Sequence, residues 1–179
     1  MLLVTNNIQL SPILKTDAED ITLCMHDKEI SENTMRIPYP YTLQDANNWL
    51  DSLDEFEIEN GYSRNLAIRT TEGRLIGCIG LHFNYGAHAG KSEFGYWLNK
   101  DYRNQGIMSQ TIKVFSNWAC EKFGFYLLEA HVFDFNIASQ RALEKAGYTL
   151  TETIPNHYQK NGKNFHALRY TKQLREFCQ

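Results

Sequence analysis

The sequence predicts an α/β domain built on a mixed sheet, and three observations carry that prediction. Hydrophobic periodicity switches between a repeat of two and a repeat of three to four along nearly the whole chain. A strand–turn–helix unit, residues 93–124, occupies its centre. Three strand patterns precede the helix of that unit, and a fourth follows it directly. Consecutive strands with short connections pair most simply as an antiparallel meander, whereas strands joined through a helix pair in parallel. With 179 residues, 42% hydrophobic and 13% aromatic, the chain can bury its own core and reads as a single domain over residues 1–179.

Residues 8–14 begin as a strand. Thr16-Asp17-Ala18-Glu19 has the capping-box pattern, and Ala18, Ile21 and Met25 then form a helical stripe. Ile37-Pro38-Tyr39-Pro40-Tyr41 fits neither regular helix nor central strand, so it reads as a stiff aromatic loop. Thr42-Leu43-Gln44-Asp45 caps a second helix whose inner face is Ala46, Trp49, Leu50 and Leu53. Its other face and far end are acidic, with Asp51, Asp54, Glu55, Glu57 and Glu59. Residues 66–69 and 75–81 follow as strands around a Thr71-Glu72-Gly73 turn, and a loop across residues 86–90 leads to the strand at 93–98. In the central helix Met108, Ile112, Phe115, Ala119 and Phe123 share one face, and Gly124 stops it. A strand at 126–132 comes next, then a helix capped by Asn136 with Ala138, Ala142, Leu143 and Ala146 inward, closed by Gly147. Two strands, around 149–154 and 166–170, finish the chain on either side of an Asn161-Gly162 turn.

Composition narrows the function classes. A net charge of -3 argues against non-specific nucleic-acid binding, which depends on dense Lys and Arg. No apolar run is long enough to span a bilayer, and residues 1–7 turn polar too early for a signal peptide. Cys24, Cys78, Cys120 and Cys178 are scattered without a C-x-x-C pair, the pattern of reduced structural thiols in a cytoplasmic protein. His26, His82, His88, His131, His157 and His166 lack metal-ligand spacing, so no metal is expected. Gly-x-Gly-x-x-Gly and Walker-type loops are both absent.

The turn of the central unit, Asn99-Lys100-Asp101-Tyr102-Arg103-Asn104-Gln105-Gly106, has the physics of an anion site. Glycine lets a ligand approach the backbone, and the first N–H groups of a helix lack intrahelical partners at the positive end of its dipole. A phosphate or pyrophosphate is the usual occupant. The same pattern also describes an ordinary strand–loop–helix corner with Arg103 in water.

Several motifs, in this order, resemble the GNAT superfamily of N-acetyltransferases, and within it the branch of bacterial ribosomal-protein N-terminal acetyltransferases. Arg103-Asn104-Gln105-Gly106-Ile107-Met108 resembles the acetyl-CoA loop (Q/R)-x-x-G-x-(G/A), with Met108 where the family prefers Gly or Ala. Glu93-Phe94-Gly95-Tyr96-Trp97-Leu98 resembles the preceding strand of this branch. Asn136-Ile137-Ala138-Ser139 with Glu144-Lys145-Ala146-Gly147-Tyr148 resembles the later signature, and residues 37–41 resemble a loop of the same branch. The resemblance implies a mostly antiparallel, seven-stranded sheet with helices on both faces. It implies acetyl transfer from acetyl-CoA to a primary amine, of a protein N-terminus or a small molecule, by direct attack and without a metal. Relatives of this branch are often homodimers. A non-catalytic acyl-CoA-binding sensor and a nucleotide-binding domain are the rival readings.

The resemblance also distributes roles. The backbone N–H groups of Gln105, Gly106, Ile107 and Met108 would hold pyrophosphate, with Ser109, Asn104 and the Arg103 guanidinium nearby and Trp97 and Leu98 along the coenzyme. Glu93, its pKa raised by desolvation, would deprotonate the amine directly or through a water it holds, or else is a strand-edge glutamate facing water. The Leu98 backbone N–H would donate to the thioester carbonyl. Many relatives protonate the leaving thiolate, whose pKa is near ~8.5, with a tyrosine that is Leu143 here. Ser139, one turn earlier, is then the candidate for leaving-group contact or proton donation, or else caps its own helix. Asn136 is expected to be both a cap and a coenzyme contact. Tyr39 and Tyr41 are the candidate acceptor walls. The acidic helix end could attract a cationic acceptor, or simply face water.

Overall fold

The computed structural model describes residues 1–82 and 90–174, which form two compact units: residues 1–80 with 96–107, and residues 81–82 and 90–95 with 108–174. The strands are β1 (Leu2–Thr5), β2 (Ile8–Ser11), β3 (Asn65–Thr70), β4 (Leu75–His82), β5 (Lys91–Leu98), β6 (Leu127–Phe133), β7 (Thr149–Lys160) and β8 (Lys163–Gln173). Their order in the sheet is β1-β2-β3-β4-β5-β6-β8-β7. Pairing is antiparallel from β1 to β4 and from β6 through β8 to β7, and parallel between β5 and β6. The mixed, mostly antiparallel sheet is as expected, but it has eight strands rather than seven. The extra one is β1. Asn6-Asn7 makes a tight turn that folds Leu2 back onto Leu10, so the short apolar start is an edge strand.

In the first unit, α1 (Ala18–Met25), the short α2 (Lys28–Glu32) and α3 (Leu43–Asn60) accompany the first strands. The expected stripe of Ala18, Ile21 and Met25 packs with Ala46 and Leu50 of α3 and with Ala67 and Leu75 of the strands. The box that opens α3 forms as read: Asp45 N–H donates to Thr42 Oγ1 at 3.2 Å, and Thr42 N–H donates to Asp45 Oδ2 at 2.8 Å. The helix ends at Gly61 with φ +74°.

The box expected at Thr16 does not form, because Thr16 lies inside a helical turn whose N-cap is Leu14. A 3-10 turn, Lys15–Asp17, precedes α1, and the Asp17 carboxylate accepts from Leu14 N–H at 2.8 Å. The same carboxylate takes both ends of the Arg69 guanidinium, at 2.8 and 2.7 Å. Arg69 also donates to Ser11 Oγ, Gly73 O and Pro12 O. All five of its N–H donors are thereby used, which is how a pair this buried is tolerated.

The second unit holds α4 (Ile107–Phe123, from Met108 onward) and α5 (Ile137–Lys145). Ile112, Phe115 and Ala119 of α4 are fully buried as expected, while Met108 and Phe123 are half-buried. Phe94 of β5 packs against Phe115 and Tyr148, with ring centroids 5.8 and 5.4 Å apart. The Tyr148 hydroxyl lies 2.8 Å from Ser116 Oγ, and burial pushes its pKa up. On α5, Leu143 and Ala146 are buried, but Ala138 faces solvent. Asn161 and Gly162 both take positive φ in the turn joining β7 to β8, as two-residue hairpins require. Both strands run well beyond the lengths read from the sequence.

The loop expected across residues 86–90 lies, except for Gly90, outside the described residues. Among the described residues Cys24 and Cys78 are free thiols, and both, like Cys120 of α4, are buried. Among the described residues no helix is long and apolar enough to cross a membrane.

Two stability predictions follow from the first unit. Replacing Asp17 by Ala strands a buried guanidinium and should cost about 3–5 kcal/mol in urea unfolding. At Gly77 an added Cβ would lie 2.6 Å from the Trp97 carbonyl oxygen, a backbone atom with no rotamer to change. Gly77→Ala should therefore cost about 1–3 kcal/mol by the same measurement.

Candidate active site

The anion-site candidate begins where β5 ends. Asn99, buried, donates its backbone N–H to Ile76 O at 2.8 Å and caps the 3-10 turn Lys100–Tyr102 through its side-chain oxygen. Arg103 comes next. Its Nη2 lies 2.6 Å from Asp27, its Nη1 2.8 Å from Glu29, and its Nε donates to Leu98 O at 3.2 Å. The guanidinium expected on pyrophosphate is thus held by two carboxylates of the α2 start and by the end of β5. It anchors the loop from within. Sequence reading missed this because Asp27 and Glu29 are 76 and 74 residues away.

Beyond Arg103 the backbone takes left-handed conformations at Asn104 (φ +61°) and Gly106 (φ +76°). The Gln105 side chain donates to Asp101 O at 3.0 Å, closing the loop on itself. Ile107 and Ser109 are buried, so these side chains turn inward at the helix start. A Cβ built on Gly106 would meet no atom within 4 Å, so the backbone there is open to a ligand. A left-handed turn leading into a helix N-terminus aims backbone N–H groups at an anion. The residues present therefore fit a pyrophosphate.

The second cluster lies in the second unit. Parallel pairing of β5 with β6 matches Lys91, Ser92 and Glu93 to Leu127, Leu128 and Glu129, and the ladder ends there. Glu93 has a side chain only 14% exposed. His131 Nδ1 lies 3.2 Å from Glu93 Oε1, and His82 Nδ1 lies 3.9 Å from the same oxygen. The His82 ring lies over Gly95, where a Cβ would be 2.8 Å from it. Burial alone would push the Glu93 pKa up. The two imidazoles, His131 foremost, outweigh burial and hold the carboxyl down at about 2. At 3.9 Å His82 stands beyond hydrogen-bond distance of that oxygen. The raised pKa expected of Glu93 is therefore reversed: it is a persistent anion. The sequence listed both histidines but could not pair them with Glu93, since each arrives on a different strand.

The remaining candidates divide. Asn136 caps α5, its Oδ1 accepting from Ser139 N–H at 3.1 Å, and Ser139 is half-buried in that first turn. Leu143, where relatives carry tyrosine, is a fully buried core residue. Tyr39 is half-exposed. Tyr41 is instead packed with Ala46 and Leu50 in the core, and burial, helped by the Asp45 charge, pushes its pKa up to about 12. In the acidic helix, Asp51 and Asp54 are both paired with Lys15. Among the described residues no group of three or more His, Cys, Asp or Glu is placed to hold a metal.

Comparison with known proteins agrees with this geometry. The family described as "Acetyltransferase (GNAT) domain" matches residues 7–149. The probable N-acetyltransferase YjcK of Bacillus subtilis (strain 168) is 27% identical over 145 residues, covering 79% of this chain and 80% of that protein. The uncharacterized N-acetyltransferase YoaA of the same organism is 25% identical over 162 residues, covering 90% of each. Among solved structures, RimL, a ribosomal L7/L12 alpha-N-protein acetyltransferase in complex with coenzyme A, superposes with a TM-score of 0.85 at 14% identity, covering 97% of both chains. The microcin C7 self-immunity acetyltransferase MccE, in complex with acetyl-CoA and AMP, gives 0.82 at 17% identity, covering 96% of this chain and 94% of its own. At such identities the two structures establish a shared fold. The chain belongs to the GNAT acetyltransferase family and is an acetyl-CoA-dependent N-acetyltransferase.

Proposed function

We propose that this protein, a cytoplasmic enzyme acting as one catalytic domain, acetylates a primary amine by direct attack on acetyl-CoA. The acceptor is the N-terminal amine of a protein or a small-molecule amine. The observation that carries this reading is Glu93, a nearly buried carboxylate kept ionised beside imidazoles on the strand that leads into the coenzyme loop. Such an anion draws a cationic ammonium group and supports its conversion to a nucleophile.

The backbone from Asn104 to Ser109 holds the pyrophosphate, and Arg103 fixes the shape of that backbone. Trp97 and Leu98 flank the coenzyme, with the Leu98 N–H as donor to the thioester carbonyl. The end of the β5–β6 ladder at Glu93 supports that role, because strands that stop pairing leave room for a ligand. Ser139, in the first turn of α5, contacts the leaving thiol, while Asn136 fixes the start of that helix. Tyr39 borders the acceptor. Direct transfer is supported by the cysteines: Cys24 and Cys78 are buried, with pKa values pushed up by burial, and Cys120 is buried on the central helix. An alpha-amine acceptor is supported by the fold shared with RimL.

A panel of small amines and N-terminal peptides, incubated with acetyl-CoA and a thiol-detecting dye, should show acceptor-dependent release of CoA. Binding of acetyl-CoA with no release for any amine would instead favour a sensor. Separately, Gly106→Val places a branched side chain at φ +76° on the face proposed for pyrophosphate. It should weaken coenzyme A binding at least roughly tenfold by titration calorimetry, about 1–2 kcal/mol, with the circular dichroism spectrum unchanged.

A further inference from the structure

Building on the amine-acetyltransferase reading, we propose that His131 takes the proton from the attacking amine and that Glu93 is its positioning carboxylate. Glu93 pairs in parallel register with Glu129, and His131 stands two residues further along β6. The alternation of a strand therefore brings Glu93 and His131 to one face. Their contact is 3.2 Å, from Nδ1 to Oε1. An ionised carboxylate only accepts, so Nδ1 must be the donor. A neutral imidazole that gives its one N–H to Glu93 keeps a lone pair on Nε2, ready for a proton.

The neighbours reinforce this assignment. The His131 ring stacks on His157 of β7 at 5.5 Å and 18°, which fixes its plane. Its register partner on β8, Arg169, is tied to Glu152 at 2.9 Å. His82 of β4 stands too far from Glu93, at 3.9 Å, to be oriented by a hydrogen bond. Glu93 itself, held as an anion by these imidazoles, is poorly matched to accepting a proton near neutrality.

The step balances. The amine nitrogen forms the N–C bond, the C–S electron pair leaves with sulfur, and the surplus amine proton moves to His131 Nε2. The resulting imidazolium is stabilised by the Glu93 anion. It then returns its proton to the thiolate or to solvent, which regenerates the neutral ring.

The test compares His131→Gln with Glu93→Gln in the full chain, using one accepted amine. His131→Gln should lower kcat by about 10²–10⁴-fold, leave the KM for acetyl-CoA unchanged, and abolish the rising limb of the kcat/KM pH profile. Glu93→Gln, whose amide oxygen still accepts from Nδ1–H, should retain much more activity and keep the limb. The opposite ranking overturns the proposal. Wild-type ¹⁵N imidazole shifts, which need no active variant, should show the neutral His131 ring as the Nδ1–H tautomer; an Nε2–H tautomer also overturns it. Wild-type protein that binds acetyl-CoA but acetylates no amine would overturn the acetyl-transfer reading, and this role with it. An active wild type with an active His131→Gln overturns this role alone.

Discussion

Three residue pairs of parallel ladder join β5 to β6, and the meeting of Glu93 with His131 depends on where that ladder stops. Parallel pairing sets the two strands in register, so that residues of like parity face the same way. Glu93 closes the ladder, and His131 lies just past the last paired residue on the other strand. A one-residue slip would turn one of the two to the opposite face and separate them. The aromatic packing of Phe94 on Phe115 and Tyr148 secures this register, because Phe94 must point into the core for Glu93 to point away from it.

Three clusters of charge in this protein are turned inward. Asp17 and Arg69 form a bidentate pair inside the first unit, and Arg103 spends its guanidinium on Asp27 and Glu29. Glu93 is held by imidazoles. In each case the partner comes from a distant part of the chain, so each charge fixes tertiary geometry as well as local structure. The weakly acidic balance of the sequence hides this, since it counts charges without pairing them.

What the sequence revealed was local. The Thr42–Asp45 box and the Asn161-Gly162 turn need only neighbouring residues, and both form. The strand–loop–helix core was legible for the same reason, together with the left-handed turn at Gly106. The failures were contests that local pattern could not judge. Thr16 looked like a cap, but it falls inside the 3-10 turn that precedes α1. Arg103 looked solvated or ligand-bound, yet met two carboxylates across the fold. Glu93 looked like a desolvated acid because its imidazole partners sit on other strands.

The internal engagement of Arg103 also bears on how sequence drift can act on the coenzyme loop. With that cation neutralised by the protein, a pyrophosphate bound as proposed would be gripped by main-chain amides, which are identical in every residue except proline. Side chains along the loop are then free to vary wherever they avoid the ligand face, and Met108 in place of a smaller residue is such a case. Asp27, Glu29 and Arg103, by contrast, should change together or not at all, because a lysine cannot reproduce the forked contact with two acids and a carbonyl. Such adhesion through amides would also make coenzyme affinity less sensitive to ionic strength than a grip by exposed cations.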